Sequence, residues 1–286
     1  KVEERWIPTT DGKQMLVFPG NENWLLARIR RMNDQRVVIQ GQPGDRILAI
    51  ERYVIDPFTG DQHELPTLSD ELDYICLMFT GANSSDTQCI AFDPTLNYAV
   101  YPYQPGDTLL SFVKDLSKDT IVTQIGTIFE AVPRWAPDGK SFALRAFIRK
   151  EGTSVGGLYR IYLDGHIDLL IDSPSDQDIE RTSYQWSPDG KYLAFWWDPV
   201  GILKCVTLGV LNVETSEIVT YDIHNSYLPK FAPEIYWSPD SQYLIFELKD
   251  SIEDETSKLV VVDTVSGWAA QIGENMSPWG WMVSAP

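Results

Sequence analysis

Cysteine and histidine are scarce in this chain, with three of each in 286 residues. Three cysteines are too few for a disulfide framework. The histidines His63, His166 and His224 stand far apart, with no Cys or His at metal-ligand spacing. Basic residues are also few, 23 Lys and Arg against 41 Asp and Glu, for a formal charge of −18. A field of that sign repels phosphate backbones and excludes nucleic acid as an expected partner. No stretch approaches the roughly 18 consecutive apolar residues of a membrane span. No Pro/Ser/Gly-rich linker divides the chain, so one domain over residues 1–286 is expected.

What the chain has is repetition. In QWSPDGKYLAFWW (185–197), Ser187-Pro188-Asp189-Gly190 is turn chemistry between two apolar arms, the pattern of a β-hairpin. RWAPDGKSFAL (134–144) and YWSPDSQYLIF (236–246) repeat it, with Pro137, Pro188 and Pro239 spaced 51 residues apart. AFDPTLNYAVY (91–101) is a weaker copy, MSPWGWMV (276–283) a truncated one and IRRMNDQRVVIQ (29–40) a degenerate one. A second hairpin pattern follows each complete copy, at 53–65, 112–125, 158–171, 208–221 and 259–272. Two hairpins make a four-stranded unit, and such units recurring every 40–50 residues are the blades of a β-propeller. The N-terminal hairpin at 5–18 and the truncated C-terminal copy complement one another, so the count gives six blades, the last closed by strands from both termini, with five or seven left open by the degenerate copy at 29–40. The 10 Trp, 13 Tyr and 11 Phe suit packing between twisted sheets.

The Trp-Ser-Pro-Asp-Gly-Lys-x-Leu-Ala-Phe pattern resembles the repeat of TolB-type propellers, shared with the propeller domains of tricorn-like and prolyl-oligopeptidase-type peptidases. It is strong at 134–144, 185–195 and 236–246 and partial at 91–101 and 277–283. The resemblance implies architecture and little about activity. With the acidic balance, it implies a periplasmic, secreted or lipid-anchored location outside a bacterial cytoplasm. The chain begins Lys1-Val2, without a start Met, so an export signal is expected to lie outside it.

Catalytic patterns are thin. GTSVG (152–156) matches Gly-x-Ser-x-Gly, but that motif needs a strand, an elbow and a helix, and Ser154 is followed by a strand pattern. The peptidases with this repeat carry their hydrolase in a separate domain, for which this chain has no room. An enzyme of the propeller glycosidase or lyase kind needs two acids at roughly 5–10 Å near the central channel. The first strands instead carry Trp, Arg134 and Gln185. Asp250, Glu253, Asp254 and Glu255 supply oxygen ligands for Ca²⁺, without the regular Asp-x-Asp-x-Asp-Gly loop, and no other cofactor is expected. Cys76 and Cys89 flank a polar tip in an extra hairpin inserted at 70–89; they are read either as a disulfide or as two buried thiols.

Binding remains. Loops between hairpins and between blades, at 67–73, 149–157, 197–204 and 225–234, are longer than those within hairpins and emerge on one face. Trp197, Asp198, Arg181, Tyr227, Phe231 and Trp279 are the candidate binding residues. The expected function is a non-catalytic module that docks a protein through this face. Carbohydrate, peptide or small-ligand binding, or an enzyme with channel carboxylates, are the alternatives.

Overall fold

The computed structural model describes residues 6–8, 14–16, 24–31, 37–43, 51–56, 61–65, 91–103, 110–125, 127–129, 133–150, 153–172, 179–197, 206–225, 234–249, 256–276, 278 and 281. No described residue is helical, so no helix here is long and apolar enough to cross a membrane. An antiparallel pair, β1 (Trp6–Pro8) and β2 (Gln14–Leu16), comes first. A four-stranded sheet follows: β3 (Trp24–Arg31), β4 (Val37–Pro43), β5 (Glu51–Ile55) and β6 (Gln62–Leu65). The next holds β7 (Ala91–Phe92), β8 (Tyr98–Tyr103), β9 (Leu110–Asp115) and β10 (Thr120–Ile125).

In the third sheet the first strand is broken into β11 (Thr127–Phe129) and β12 (Arg134–Trp135), both paired to β13 (Ser141–Lys150), with β14 (Thr153–Tyr162) and β15 (Ile167–Asp172) outside them. The fourth holds β16 (Ile179–Trp186), β17 (Tyr192–Trp197), β18 (Val206–Asn212) and β19 (Ile218–Asn225). The fifth holds β20 (Tyr236–Trp237), β21 (Tyr243–Leu248), β22 (Lys258–Asp263) and β23 (Ala269–Glu274). All neighbouring strands are antiparallel, in the hairpin order the sequence predicts.

The repeated turn has one geometry in four sheets. The N–H of Leu96, Gly139, Gly190 and Ser241 donates to the carbonyl three residues back, at 2.9–3.0 Å. Those four residues have φ of +61° to +73°. A type I turn followed by a left-handed residue is a common three-residue hairpin connection, and it explains the glycine of Pro-Asp-Gly. Serine before the proline has its own task. Ser187 Oγ accepts from Tyr192 N at 2.9 Å, and Ser238 Oγ accepts from Tyr243 N at 2.8 Å. In the weaker copy, Asp93 Oδ1 accepts from Tyr98 N at 2.6 Å, so the carboxylate replaces the hydroxyl. Leu96 holds a left-handed backbone without being glycine, at a cost of roughly 1–2 kcal/mol. Leu96→Gly is expected to raise stability by about 1 kcal/mol, read as a higher urea midpoint with unchanged slope.

Tryptophan joins the sheets. The indole N–H of Trp135 donates to Ala91 O at 2.9 Å, Trp186 to Arg134 O at 2.9 Å, and Trp237 to Gln185 O at 3.0 Å. Trp281 continues the series, donating to Tyr236 O at 3.2 Å. Each acceptor is the residue just before the tryptophan position of the preceding sheet. The final copy is therefore aligned by Trp281 rather than by Pro278, a correction to the sequence alignment. First strands of successive sheets also touch, β7 to β12, β12 to β16 and β16 to β20, so they form the inner wall of a ring.

Burial grades outward from that wall. β17 and β18 are almost wholly buried and read as continuous apolar runs, whereas β10 and β23 are largely exposed and β15 is mostly half-buried. The core lies between faces of adjacent sheets: Trp196, Leu208 and Tyr221 of one pack with Trp237, Phe246 and Val260 of the next. Outer strands are edges, and four of them carry a register shift against their neighbour, in β10, β15, β19 and β23. Bulges twist an edge away from pairing with another chain.

Asp115 ends β9 and caps its turn, accepting from Ser117 N, Ser117 Oγ, Lys118 N and Lys118 Nζ. The Lys118 ammonium, then the Ser117 hydroxyl, hold its carboxyl far below the usual range. An unfolded aspartate titrates near ~3.9. Its folded value is depressed, so its stabilisation is complete above that pH and is lost as pH falls further. Asp115→Asn is expected to flatten the acid limb of a urea midpoint measured against pH below about 4.

Candidate functional site

The chain runs through each blade so that the Pro-Asp-Gly turns and the corners after β9, β14, β18 and β22 lie at one end. The connections after β17 (198–205), β19 (226–235) and β21 (249–257) lie at the other. The strands from which the sequence expects the longer loops to lead, β17 and β19, end there. One expected loop is different: residues 149–157 are mostly strand, with Arg149 paired to Ser154 and Lys150 to Thr153. Ser154 therefore sits within a ladder, without the elbow and helix a serine nucleophile needs. Gly156-Gly157 belongs to that strand too. A Cβ on Gly157 would lie 2.6 Å from Ile171 O, so close strand packing explains this glycine.

Trp197 ends β17 at the loop-rich end. Its ring is half-buried, meeting Phe195 edge-on at 6.3 Å, and it packs on the cluster of Tyr184, Trp186 and Leu193. Arg181 lies in β16 within a bulge: Ile179 pairs with Trp197 and Tyr184 with Phe195, so residues 180–183 face a single partner position. Bulges often re-aim side chains beside functional sites. The break between β11 and β12 interrupts the neighbouring first strand at a similar level. Asp198, Tyr227, Phe231, Trp279, Asp250, Glu253, Asp254, Glu255, Cys76 and Cys89 lie outside the described residues. Two histidines are exposed, His63 in β6 and His166 before β15, and His224 belongs to β19, so the three fall in three different sheets. Among the described residues no three His, Cys, Asp or Glu converge as a metal site.

Polar side chains meet inside the ring, on the short first strands that run into the repeated turns. Arg134 of β12 reaches past β16 to the blade beyond, placing Nη2 3.6 Å from Glu234 Oε1. The other oxygen, Oε2, accepts from Tyr236 Oη at 2.7 Å. Because the two residues belong to blades one removed from each other, their contact lies within the inner wall. Arg145 is 2% exposed, and its backbone N–H donates to Tyr184 Oη at 3.3 Å. Burial pushes the Tyr184 phenol up to about 12, opposed by that hydrogen bond and by the charges of Arg134 and Arg145. Tyr184 thus stays neutral beside two guanidiniums. Glu234 is the residue that sequence reasoning missed: it sat inside a presumed loop, and no local periodicity reports a contact made 100 positions away. An acid pair does not form here among the described residues; the carboxylate faces an arginine.

The inner ring of first strands, the outward-running hairpins and the indole hydrogen bonds between successive sheets define a β-propeller. No family model matches the sequence, and no curated protein matches it. Solved structures do match in fold. TolB from Acinetobacter baumannii aligns with a TM-score of 0.51 at 17% identity, over 88% of this chain and 64% of that one. A putative TolB from Agrobacterium tumefaciens aligns at 0.51 and 13% identity, over 93% of this chain and 86% of that one. A prolyl endopeptidase aligns at 0.56 and 13%, over 89% of this chain and 39% of its own. The fold is thus that of TolB and of prolyl oligopeptidase propeller domains, and this chain spans under two thirds of the first and well under half of the last.

Proposed function

We propose that this chain is a non-catalytic interaction module: one propeller domain of six blades, the last shared between the termini, that docks a protein partner through its loop-rich face outside the bacterial cytoplasm. The observation that carries the reading is the inner-wall cluster. Where a glycosidase or lyase needs two cooperating acids, Glu234 is ion-paired to Arg134 and hydrogen-bonded to Tyr236. That acid is engaged by a guanidinium and a phenol, and among the described residues the cluster sets no second acid opposite it. Connections leading out of rigid strands, as after β17 and β19, are the usual place for recognition.

The test uses substitutions in those connections, Tyr227→Ala and Phe231→Ala. A partner retained by the wild-type chain should lose affinity at least ten-fold, with thermal midpoints within about 2 °C of wild type, as for surface changes of under roughly 0.5 kcal/mol. Equal affinity in both variants would move the interface elsewhere. Trp197→Ala is less clean, because its ring also packs on the blade core.

A further inference from the structure

Glu234 occupies a position built to hold a carboxylate. One oxygen faces the Arg134 guanidinium at 3.6 Å and the other accepts the Tyr236 hydroxyl at 2.7 Å. The residue holding that place is weakly tied to it. Glu234 precedes β20 rather than lying in it, and its side chain is 42% exposed against 12% for Arg134. The guanidinium contact is longer than the 2.7–2.9 Å of a direct charge-assisted hydrogen bond. The donors, by contrast, are fixed. Arg134 lies in β12 beside Trp135, which is locked to Ala91 O, and its carbonyl is gripped by Trp186. Tyr236 lies in β20, and its carbonyl is gripped by Trp281. A partly exposed acceptor outside the strand, set against donors held in strands, is the arrangement of a site filled by its own side chain.

We propose that the inner wall is a binding site for a carboxylate group, in which an incoming carboxylate displaces Glu234 and takes its place between Arg134 and Tyr236. The ligand is a small organic acid or the free C-terminal carboxylate of an extended peptide. Arg145, buried beside Tyr184, brings a second guanidinium to the phenol that also feels Arg134. In water-poor surroundings such a charge acts more strongly than at the surface. A tethered carboxylate competes at an effective concentration on the order of mM, so the site in the intact chain is partly self-inhibited. This inference does not rest on the docking reading: a free carboxylate binds without any protein partner.

The experiment is calorimetric titration of the whole chain with succinate, with tri-alanine as the free acid and with tri-alanine amide. Free-acid probes should bind, and the amide should bind at least ten-fold more weakly. Glu234→Gln should tighten the free acids several-fold by removing the competitor. Arg134→Gln should weaken them ten-fold or more, and Arg134→Lys, which keeps the charge but not the fork, should fall between. Circular dichroism melts show whether each variant is folded; if Arg134→Gln is not, the Arg134→Lys and Glu234→Gln results decide. Preference for tri-alanine over succinate identifies a peptide terminus, and the reverse a small acid. Equal binding of acid and amide, no binding to wild type and Glu234→Gln alike, or Glu234→Gln binding more weakly than wild type overturns the proposal. Those outcomes leave the Tyr227→Ala and Phe231→Ala test untouched, so the two readings fail separately.

Discussion

Trp186→Ala is expected to be among the most destabilising single substitutions in the chain. The side chain is fully buried, bonds across sheets to Arg134 O at 2.9 Å, and lies under the Arg160 guanidinium at 5.2 Å. Deleting a buried tryptophan costs about 3–5 kcal/mol from lost burial and the cavity left behind. For a chain of this size that lowers the thermal midpoint by on the order of 10 °C. Trp186→Phe separates the two contributions. It keeps much of the ring but leaves the Arg134 carbonyl without its indole donor, for a loss of about 1–3 kcal/mol. Differential scanning calorimetry measures both. A midpoint for Trp186→Phe equal to wild type would mean that the indole bond is not what joins the blades.

Gly209→Ala is expected to fail for the opposite reason, excess volume. Gly209 in β18 pairs directly with Phe195 in β17, and the far end of the Phe195 ring lies over it. A Cβ there would stand 2.6 Å from Cζ and 3.0 Å from Cε2 of that ring. Phe195 is wholly buried in the core with Trp186 and Tyr184, so the ring has nowhere to retreat. Overpacking of this kind costs about 1–3 kcal/mol. Phe195→Leu in the same molecule should recover part of the loss, giving a favourable coupling of about 1 kcal/mol in a double-mutant cycle read by urea denaturation. Strict additivity of the two substitutions would contradict the contact.

The two results bear on how much the sequence discloses. Hairpins were legible because a proline–aspartate–glycine corner fixes backbone angles locally, and the φ values of Gly139 and Gly190 are what that corner needs. The order of strands and the extent of burial followed from the same signals. The role of the repeated tryptophan was not legible, since its partner lies 44 to 52 positions back in another sheet. Aligning copies by proline alone therefore placed Pro278 in a turn, while Trp281 occupies the bonding position. Residues 153–157 read as loop because Gly156 and Gly157 are loop formers on average; close packing under Ile171 O reverses that preference locally. In the candidate site, Arg134 was visible as an arginine on an inner strand. Its partner Glu234 was hidden, because two non-adjacent blades meet only once the ring is assembled.

The Trp ladder and the inner-wall cluster are connected. Trp186 holds the carbonyl of Arg134, and Trp281 holds that of Tyr236, so the indoles that join blades also fix both donors around Glu234. A rigid wall is a scaffold on which recognition can change through the connections without refolding the blades.

The central claim is that recognition belongs to the loop-rich end. Hydrogen exchange of the chain, alone and with a bound protein partner, tests it most directly. Slowed exchange should be confined to segments 198–205 and 226–235 and the adjoining strand ends. The turns at 94–96, 137–139, 188–190 and 239–241 should be unchanged. Protection centred on those turns, with the loop-rich end unaffected, would contradict the account.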